Sequence, residues 1–354
     1  MPRARLPKDI ALITGINGQD GLYLARLLLS KGYEVHGLTR GDVDLSAINF
    51  KKFLPEHLFD SQRLFFHRGN ITDSSVVNDL VSSIQPSELY NFAAQSNVEA
   101  SCECPTETFQ ANAFGTVNVL EAVRQHSPKT RVLQAVSSEL FSGGTESPQN
   151  ERTLIKPTNP YGVSKALSYW ATKCYRESFG VFACSSISFN HESPIRPQNF
   201  ITRKVVLSLC RIKLGSQAEV SVGNLYAKKD WGHADDIVRG QWLMLKRPVP
   251  DDFVLGTGVS RTVKELISEV ALLLNMTLSW SGSGIREVGI WENGNGKPIV
   301  KIAKKFLRQE SGADLVACPK KAREELLWVP KVSFGELLQE MIESENKKLK
   351  GTVK

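Results

Sequence analysis

Gly15, Gly18 and Gly21 stand directly after an apolar, β-branched run (residues 9–15, DIALITG) and directly before Leu22, Leu24, Ala25, Leu28 and Leu29, which recur at helical spacing. A chain passing from strand to helix through G-x-x-G-x-x-G can bring backbone amides and a helix N-terminus against a pyrophosphate, because no side chain blocks the approach. The N-terminal segment is thereby committed to a βα unit of the dinucleotide-binding kind. The alternation continues: residues 33–38, 64–67, 88–92 and 131–135 read as strands, and 76–84 and 112–125 as helices. Parallel neighbours need crossover helices, so this rhythm predicts an α/β fold with a Rossmann-like, doubly wound parallel sheet.

Asn159 as cap, Pro160 in the first turn and Gly180 after the last periodic residue predict one long helix over 159–180. Beyond residue 190 the rhythm loosens: strands are expected in 220–223 and 251–258 and helices from Ala234, Thr262 and Ser333, while the polar stretch 281–297 reads as a mobile loop. A dinucleotide-binding domain is therefore expected over 1–190, with returning segments near 224–258. Residues 191–223 and 259–354 would form a smaller, discontinuous C-terminal substrate-binding lobe.

Composition narrows the class. The 354 residues are 41% hydrophobic and 23% charged, which excludes a wholly disordered chain. The basic N-terminus has no apolar core of about 7–15 residues, and no run of roughly 18 apolar residues follows, so a cytoplasmic protein without membrane segments is expected. Cys102, Cys104, Cys174, Cys184, Cys210 and Cys318 form neither a CxxC pair nor a disulfide framework, and no second Cys or His pair near Cys102 and Cys104 suggests a metal site. A net charge of +7 suits an anionic nucleotide as well as nucleic acid, but no dense basic arm with interleaved aromatics occurs, and nucleic-acid binding is not expected.

The chemistry concentrates around the fifth strand and the long helix. Tyr161 and Lys165 lie one turn apart, so an ammonium can assist a phenolate that accepts a hydroxyl proton while hydride leaves for a nicotinamide. Val136-Ser137-Ser138-Glu139 follows the fifth strand, at the carboxyl edge where α/β sheets bind ligands. Ser137 would hydrogen-bond the reacting hydroxyl. Glu139 either caps or salt-bridges locally, or supplies the acid/base that elimination needs and that epimerisation or reduction does not. After the second strand, Thr39-Arg40 occupies the place of an acidic ribose ligand and favours NADP, while Asp42 keeps NAD as the alternative.

The segments ALITGINGQDGLYLARLLLSKGYEVHGLTR, GNITDSS, YNFAAQS, SSELF, PYGVSKALSYW, YRESFG, FNHESP, FITRK, DWGHADD and TGVSRTV resemble the GDP-mannose 4,6-dehydratase family of the extended short-chain dehydrogenase/reductase superfamily, from about residue 9 to the last helix. GQDG (18–21) and NHESP (190–194) are more specific than the generic dehydrogenase pattern. The resemblance implies a lyase of nucleotide-sugar metabolism, on the route to GDP-fucose, that converts GDP-mannose to a 4-keto-6-deoxy product through an internal redox cycle. It implies Ser137, Glu139, Tyr161 and Lys165 as catalytic residues. The cofactor would be held by Gly15, Asn17, Gly18, Gln19, Asp20, Gly21, Arg40, Asn70, Ile71, Ala93, Ala94, Gln95, Ser96, Tyr161, Lys165, His191 and Arg196. Ser96, Ser138, Asn190, Lys204, Lys229 and Arg308 would hold the substrate, the cations offsetting its diphosphate.

The chain departs from the family pattern at Gly41-Asp42-Val43-Asp44 after Arg40, and at Asn70, Asn97, Glu107, Ile195 and Lys229. Another GDP-sugar such as a heptose, an epimerase or reductase chemistry, and a non-catalytic nucleotide-binding subunit are the alternative readings. Relatives pair through helices equivalent to 112–125 and 159–180, which implies a homodimer or a homotetramer.

Overall fold

The computed structural model describes residues 9–294, 296–307 and 312–351. In chain order its strands are β1 (Ile10–Thr14), β2 (Glu34–Thr39), β3 (Leu64–Arg68), β4 (Glu88–Asn91), β5 (Arg131–Ser137), β6 (Ala183–Ser188), β7 (Asn190–Glu192), β8 (Val220–Val222), β9 (Lys228–His233), β10 (Phe253–Leu255), β11 (Ser260–Thr262), β12 (Leu278–Ser281), β13 (Val288–Trp291) and β14 (Pro298–Ile302). Seven of them form the central sheet in the order β10-β6-β5-β4-β1-β2-β3, every pair parallel. This is the Rossmann-like, doubly wound arrangement that the strand–helix rhythm predicts.

Burial on both faces explains why β1 is apolar from Ile10 to Ile13 with no polar alternation. Ala11 and Ile13 of β1 pack on one side with Tyr23, Leu24 and Leu28 of the Gln19–Ser30 helix and with Ile237 and Val238 of the Ala234–Met244 helix. Leu12 points the other way, onto Val77 and Val81 of the Ser74–Ile84 helix and Val119 and Val123 of the Gly115–His126 helix. A polar relay crosses the middle of the sheet. Thr14 Oγ1 donates to Asn91 Oδ1 at 2.6 Å, Asn91 Nδ2 donates to Gln134 Oε1 at 2.7 Å, and all three residues are buried.

The remaining strands build the lobe above the carboxyl edge. β11, β9 and β7 form one small sheet, and β12, β13, β14 and β8 another. A separate apolar core unites Val205, Val206 and Leu209 of the Ile201–Lys213 helix, Leu266 and Ile267 of the Val263–Leu273 helix, and Leu337, Leu338 and Met341 of the Phe334–Gly351 helix. The Arg203–Glu345 ion pair, 2.5 Å long and almost fully buried, ties the first of these helices to the last.

Several expectations change. Residues 281–297 are not a mobile loop: β12 and β13 pair antiparallel with Leu278 opposite Trp291, and Trp280 and Trp291 pack against the lobe core. Short apolar strands set among Ser, Gly and Asn turns were masked by those turns. The strand expected over 251–258 is confined to Phe253–Leu255. The helix expected over 112–125 begins as a π-helical turn, Gln110–Phe114, and becomes α-helical at Gly115. The Ile201–Lys213 helix is additional. Among the described residues no helix is long and apolar enough to cross a membrane, and no group of three metal-binding side chains occurs.

Candidate active site

The glycine loop shows why a side chain is excluded there. Gly15 has φ +66°, and a Cβ on it would lie 2.7 Å from the Ala93 backbone nitrogen, so the loop after β1 rests directly on the chain leaving β4. The following helix starts at Gln19 behind Gly18, which offers no side-chain cap, and its first-turn amides face the cavity. A Cβ on Gly21 would likewise fall 2.5 Å from the Ile16 carbonyl oxygen, so the glycines keep the loop tight against the start of the helix, where a pyrophosphate would be held. Asn17 Nδ2 donates to Thr39 Oγ1 at 2.8 Å, joining the loop to the end of β2.

The two most specific sequence segments touch each other. His191 Nε2 lies 2.9 Å from Asp20 Oδ2, while His191 Nδ1 lies 2.7 Å from the Phe189 carbonyl oxygen. Both ring nitrogens therefore face acceptors and both must carry a proton. Burial works against that charge, but the Asp20 carboxylate outweighs it and the imidazole pKa is raised, even with Arg196 opposing. Burial likewise opposes ionisation of Asp20; His191, Arg196 and Gln19 together outweigh it and its pKa is lowered. Gln19 completes the latch, donating to the His191 carbonyl at 3.0 Å and accepting from Ser193 Oγ at 2.7 Å.

The reacting groups meet where β5 ends. Ser137 caps the short 3-10 turn Ser138–Phe141, which carries Glu139. Tyr161 and Lys165 come from the first turns of the Pro160–Phe179 helix. Lys165 Nζ donates to the Ala135 carbonyl at 2.9 Å, and its burial pushes its pKa down to about 8. Burial raises the Tyr161 phenol to about 12; the Ser137 hydroxyl lowers it in part, and the Glu139 charge raises it. A cation placed beside this phenol would be needed to make it an effective base near neutral pH.

All these groups line one cavity of about 910 Å³ between the sheet edge and the lobe. Of the residues singled out from sequence, Gly15, Asn17, Gly18, Gln19, Asp20, Gly21, Arg40, Asn70, Ile71, Ala93, Ala94, Ser96, Ser137, Ser138, Glu139, Tyr161, Lys165, Asn190, His191, Arg196, Lys204 and Lys229 line it. Gln95 does not: its side chain amide donates to the Asn97 carbonyl at 2.8 Å and to Thr108 at 3.2 Å. Arg308 lies outside the described residues. On the lobe side Lys204 Nζ sits 3.6 Å from the Phe306 ring centre, and burial and Lys305 lower its pKa despite Glu99.

Two supports escape sequence reasoning. Buried Ser101 accepts from the Tyr161 backbone N–H at 3.1 Å, and Asn159, readable only as a helix cap, also donates to Glu139. Ser101 lies 60 residues from Tyr161 in the chain, and no local pattern announces such a contact.

A family model described as GDP-mannose 4,6 dehydratase matches residues 12–341. GDP-mannose 4,6 dehydratase 2 of Caenorhabditis elegans is 42% identical over 347 residues, covering 96% of this chain and 89% of the relative. GDP-mannose 4,6-dehydratase of Sinorhizobium fredii strain HH103 is 40% identical, covering 98% and 99%, and that of Homo sapiens is 39% identical, covering 96% and 92%. Among solved structures, dTDP-glucose 4,6-dehydratase from Bacillus anthracis in complex with NAD superposes with a TM-score of 0.77 at 19% identity, covering 97% of this chain and 98% of that one; this likeness speaks to the fold. Sharing about two fifths of its residues with such relatives along nearly its whole length, the chain belongs to the GDP-mannose 4,6-dehydratase family.

Proposed function

We propose that the protein dehydrates GDP-mannose to GDP-4-keto-6-deoxymannose with NADP as its resident cofactor. The observation that carries this reading is the Glu139 carboxylate lining the same cavity as the Tyr161 phenol and the Ser137 hydroxyl. Oxidation of a sugar alcohol needs only the last two with Lys165; a carboxylate beside them equips the site for elimination.

A bound nicotinamide supplies a hydride acceptor for sugar carbon 4 and a hydride donor for carbon 6, so none is consumed. Tyr161 takes the proton of the carbon-4 hydroxyl, which Ser137 orients. Lys165 lowers the cost of the phenolate by placing an ammonium near it. The carbon-4 ketone acidifies carbon 5. Glu139 removes that proton and delivers one to the carbon-6 hydroxyl, which leaves as water; the hydride's return to carbon 6 is completed by a proton added at carbon 5, which offsets the one Tyr161 took from the carbon-4 hydroxyl.

Arg40 lines the cavity at the end of β2, while Asp42 accepts from the Asp44 backbone N–H at 2.7 Å and does not line it. This favours a cofactor bearing a 2′-phosphate. Asn190, Lys204 and Lys229 line the lobe side of the cavity, where the two lysine charges and the Asn190 amide suit a diphosphate, and the lobe built on the two smaller sheets is taken as the sugar-nucleotide clamp. Val163, Leu167 and Trp170 form an exposed apolar stripe on the Pro160–Phe179 helix, which supports a homodimer through that face. Sedimentation of a monomer at micromolar concentration would contradict it.

Incubating the purified protein with GDP-mannose should yield the 4-keto-6-deoxy product with one water lost and no net change in cofactor. Bound nicotinamide without any product from GDP-mannose overturns the assignment.

A further inference from the structure

The structure assigns Asn159 as the positioning residue that holds the Glu139 carboxylate in register with the catalytic helix, an inference that rests on the dehydratase reading above. One amide group serves two masters. Its Oδ1 accepts from the Gly162 N–H at 2.8 Å, capping the helix that carries Tyr161 and Lys165. Its Nδ2 donates to Glu139 Oε2 at 2.9 Å. Because an amide has one accepting and one donating end, the contacts fix its orientation without ambiguity.

The two elements also touch through the backbone. A Cβ on Gly162 would fall 2.8 Å from the Glu139 carbonyl oxygen and 3.0 Å from Pro157, so only glycine lets the first helical turn sit this close to the turn bearing Glu139. Among the described residues Asn159 is the only side chain hydrogen-bonded to the Glu139 carboxylate. With Oε2 engaged by the Asn159 amide, Oε1 is left free to meet the substrate proton. The other ionisable groups lining the same cavity are Tyr161 and Lys165 on the helix, Asp20 on the glycine-loop helix, His191 and Arg196 beyond β6, Arg40 after β2, Glu99, and on the lobe side Lys204, Lys228, Lys229, Lys305 and Asp314.

Two variants separate this role from simple capping. Asn159→Asp is isosteric and keeps the cap but replaces the donor by a second carboxylate; Asn159→Ser keeps a cap-forming oxygen and withdraws the donor. Turnover of GDP-mannose against pH, and exchange of the carbon-5 hydrogen with heavy water, would be followed in both. The expected result is folded protein with KM within about twofold of wild type, and with kcat and carbon-5 exchange both lowered roughly tenfold or more near neutral pH, furthest in Asn159→Asp. Carbon-5 exchange at the wild-type rate in both variants, or a loss confined to KM or to thermal stability, overturns the role. Glu139→Gln separates the two proposals: if it abolishes carbon-5 exchange while the Asn159 variants behave as wild type, only the positioning role falls; if it turns over normally, the elimination assignment falls with it.

Discussion

Asp20 and His191, 171 residues apart in sequence, meet at 2.9 Å and join the first turn of the glycine-loop helix to the strand after β6. Both residues line the cavity, so one ion pair ties the glycine loop to the segment that leads into the lobe.

The pair makes stability depend on pH in a defined window. A histidine raised in the folded state contributes fully below its ordinary value of about 6.5, and the contribution disappears as pH climbs through the raised value. A lowered aspartate contributes fully above about 3.9, and this is lost as pH falls through the depressed value. His191→Asn should remove the alkaline decline from a plot of unfolding free energy against pH, and should cost about 1–3 kcal/mol at neutral pH by leaving Asp20 with only Gln19 and the more distant Arg196 to offset its burial. Parallel plots for the two proteins would show that the pair contributes nothing.

Lys165 trades stability for function. Its folded pKa of about 8 lies below the unfolded value of 10.5, so between these pH values the unfolded chain binds more protons and stability rises with pH. Below about 8 the buried ammonium is a cost. Lys165→Met should therefore stabilise the cofactor-free protein at neutral pH by on the order of 1–3 kcal/mol and erase the rise above pH 8, while turnover is lost. Chemical denaturation across that range is the measurement, and a destabilised variant would refute the argument.

Gly15→Ala meets both a backbone conformation at φ +66° and the Ala93 nitrogen 2.7 Å away. It should destabilise the fold by more than about 1 kcal/mol and yield protein without co-purifying nicotinamide. Wild-type cofactor content in the variant would mean that the loop can relax.

Arg40 lines the cavity at the end of β2, and the NADP reading proposed above assigns it to the 2′-phosphate. Replacing it by Ala should weaken NADP binding by roughly tenfold or more and leave NAD nearly unchanged, as judged by equilibrium titration of both. Equal effects on the two cofactors would place Arg40 on the shared pyrophosphate instead.

Much of this was legible before any coordinates, for reasons that differ by region. The first strand advertises itself because burial on both faces leaves an apolar run, Ile10–Thr14, whereas Ala183–Ser188, equally buried but carrying three serines, does not read as a strand. The catalytic helix is bracketed by its own chemistry, Asn159 capping it and Gly180 ending it at φ +68°. The β12–β13 hairpin was hidden because each strand is four residues long and its stabilising partner, the lobe core, is assembled from distant helices. Ser101 beneath Tyr161 and the Ala135 carbonyl beneath Lys165 were hidden for a related reason: neither contact has a local sequence signature. Gln95 sits among residues that face the cavity, yet its amide turns back to brace its own loop, a choice that depends on where Thr108 lies.

The buried relay from Thr14 through Asn91 to Gln134 has an evolutionary corollary. Each side chain is matched to a neighbour on the next strand, so an apolar replacement of any one of them leaves buried polar atoms short of a partner, with Thr116 alone at hand to take up part of the loss, and a single-step route away from the trio is uphill. Innovation in such a lineage is thus channelled toward the periphery, where the lysines and loops of the lobe can drift independently, while the middle of the sheet is inherited as a unit.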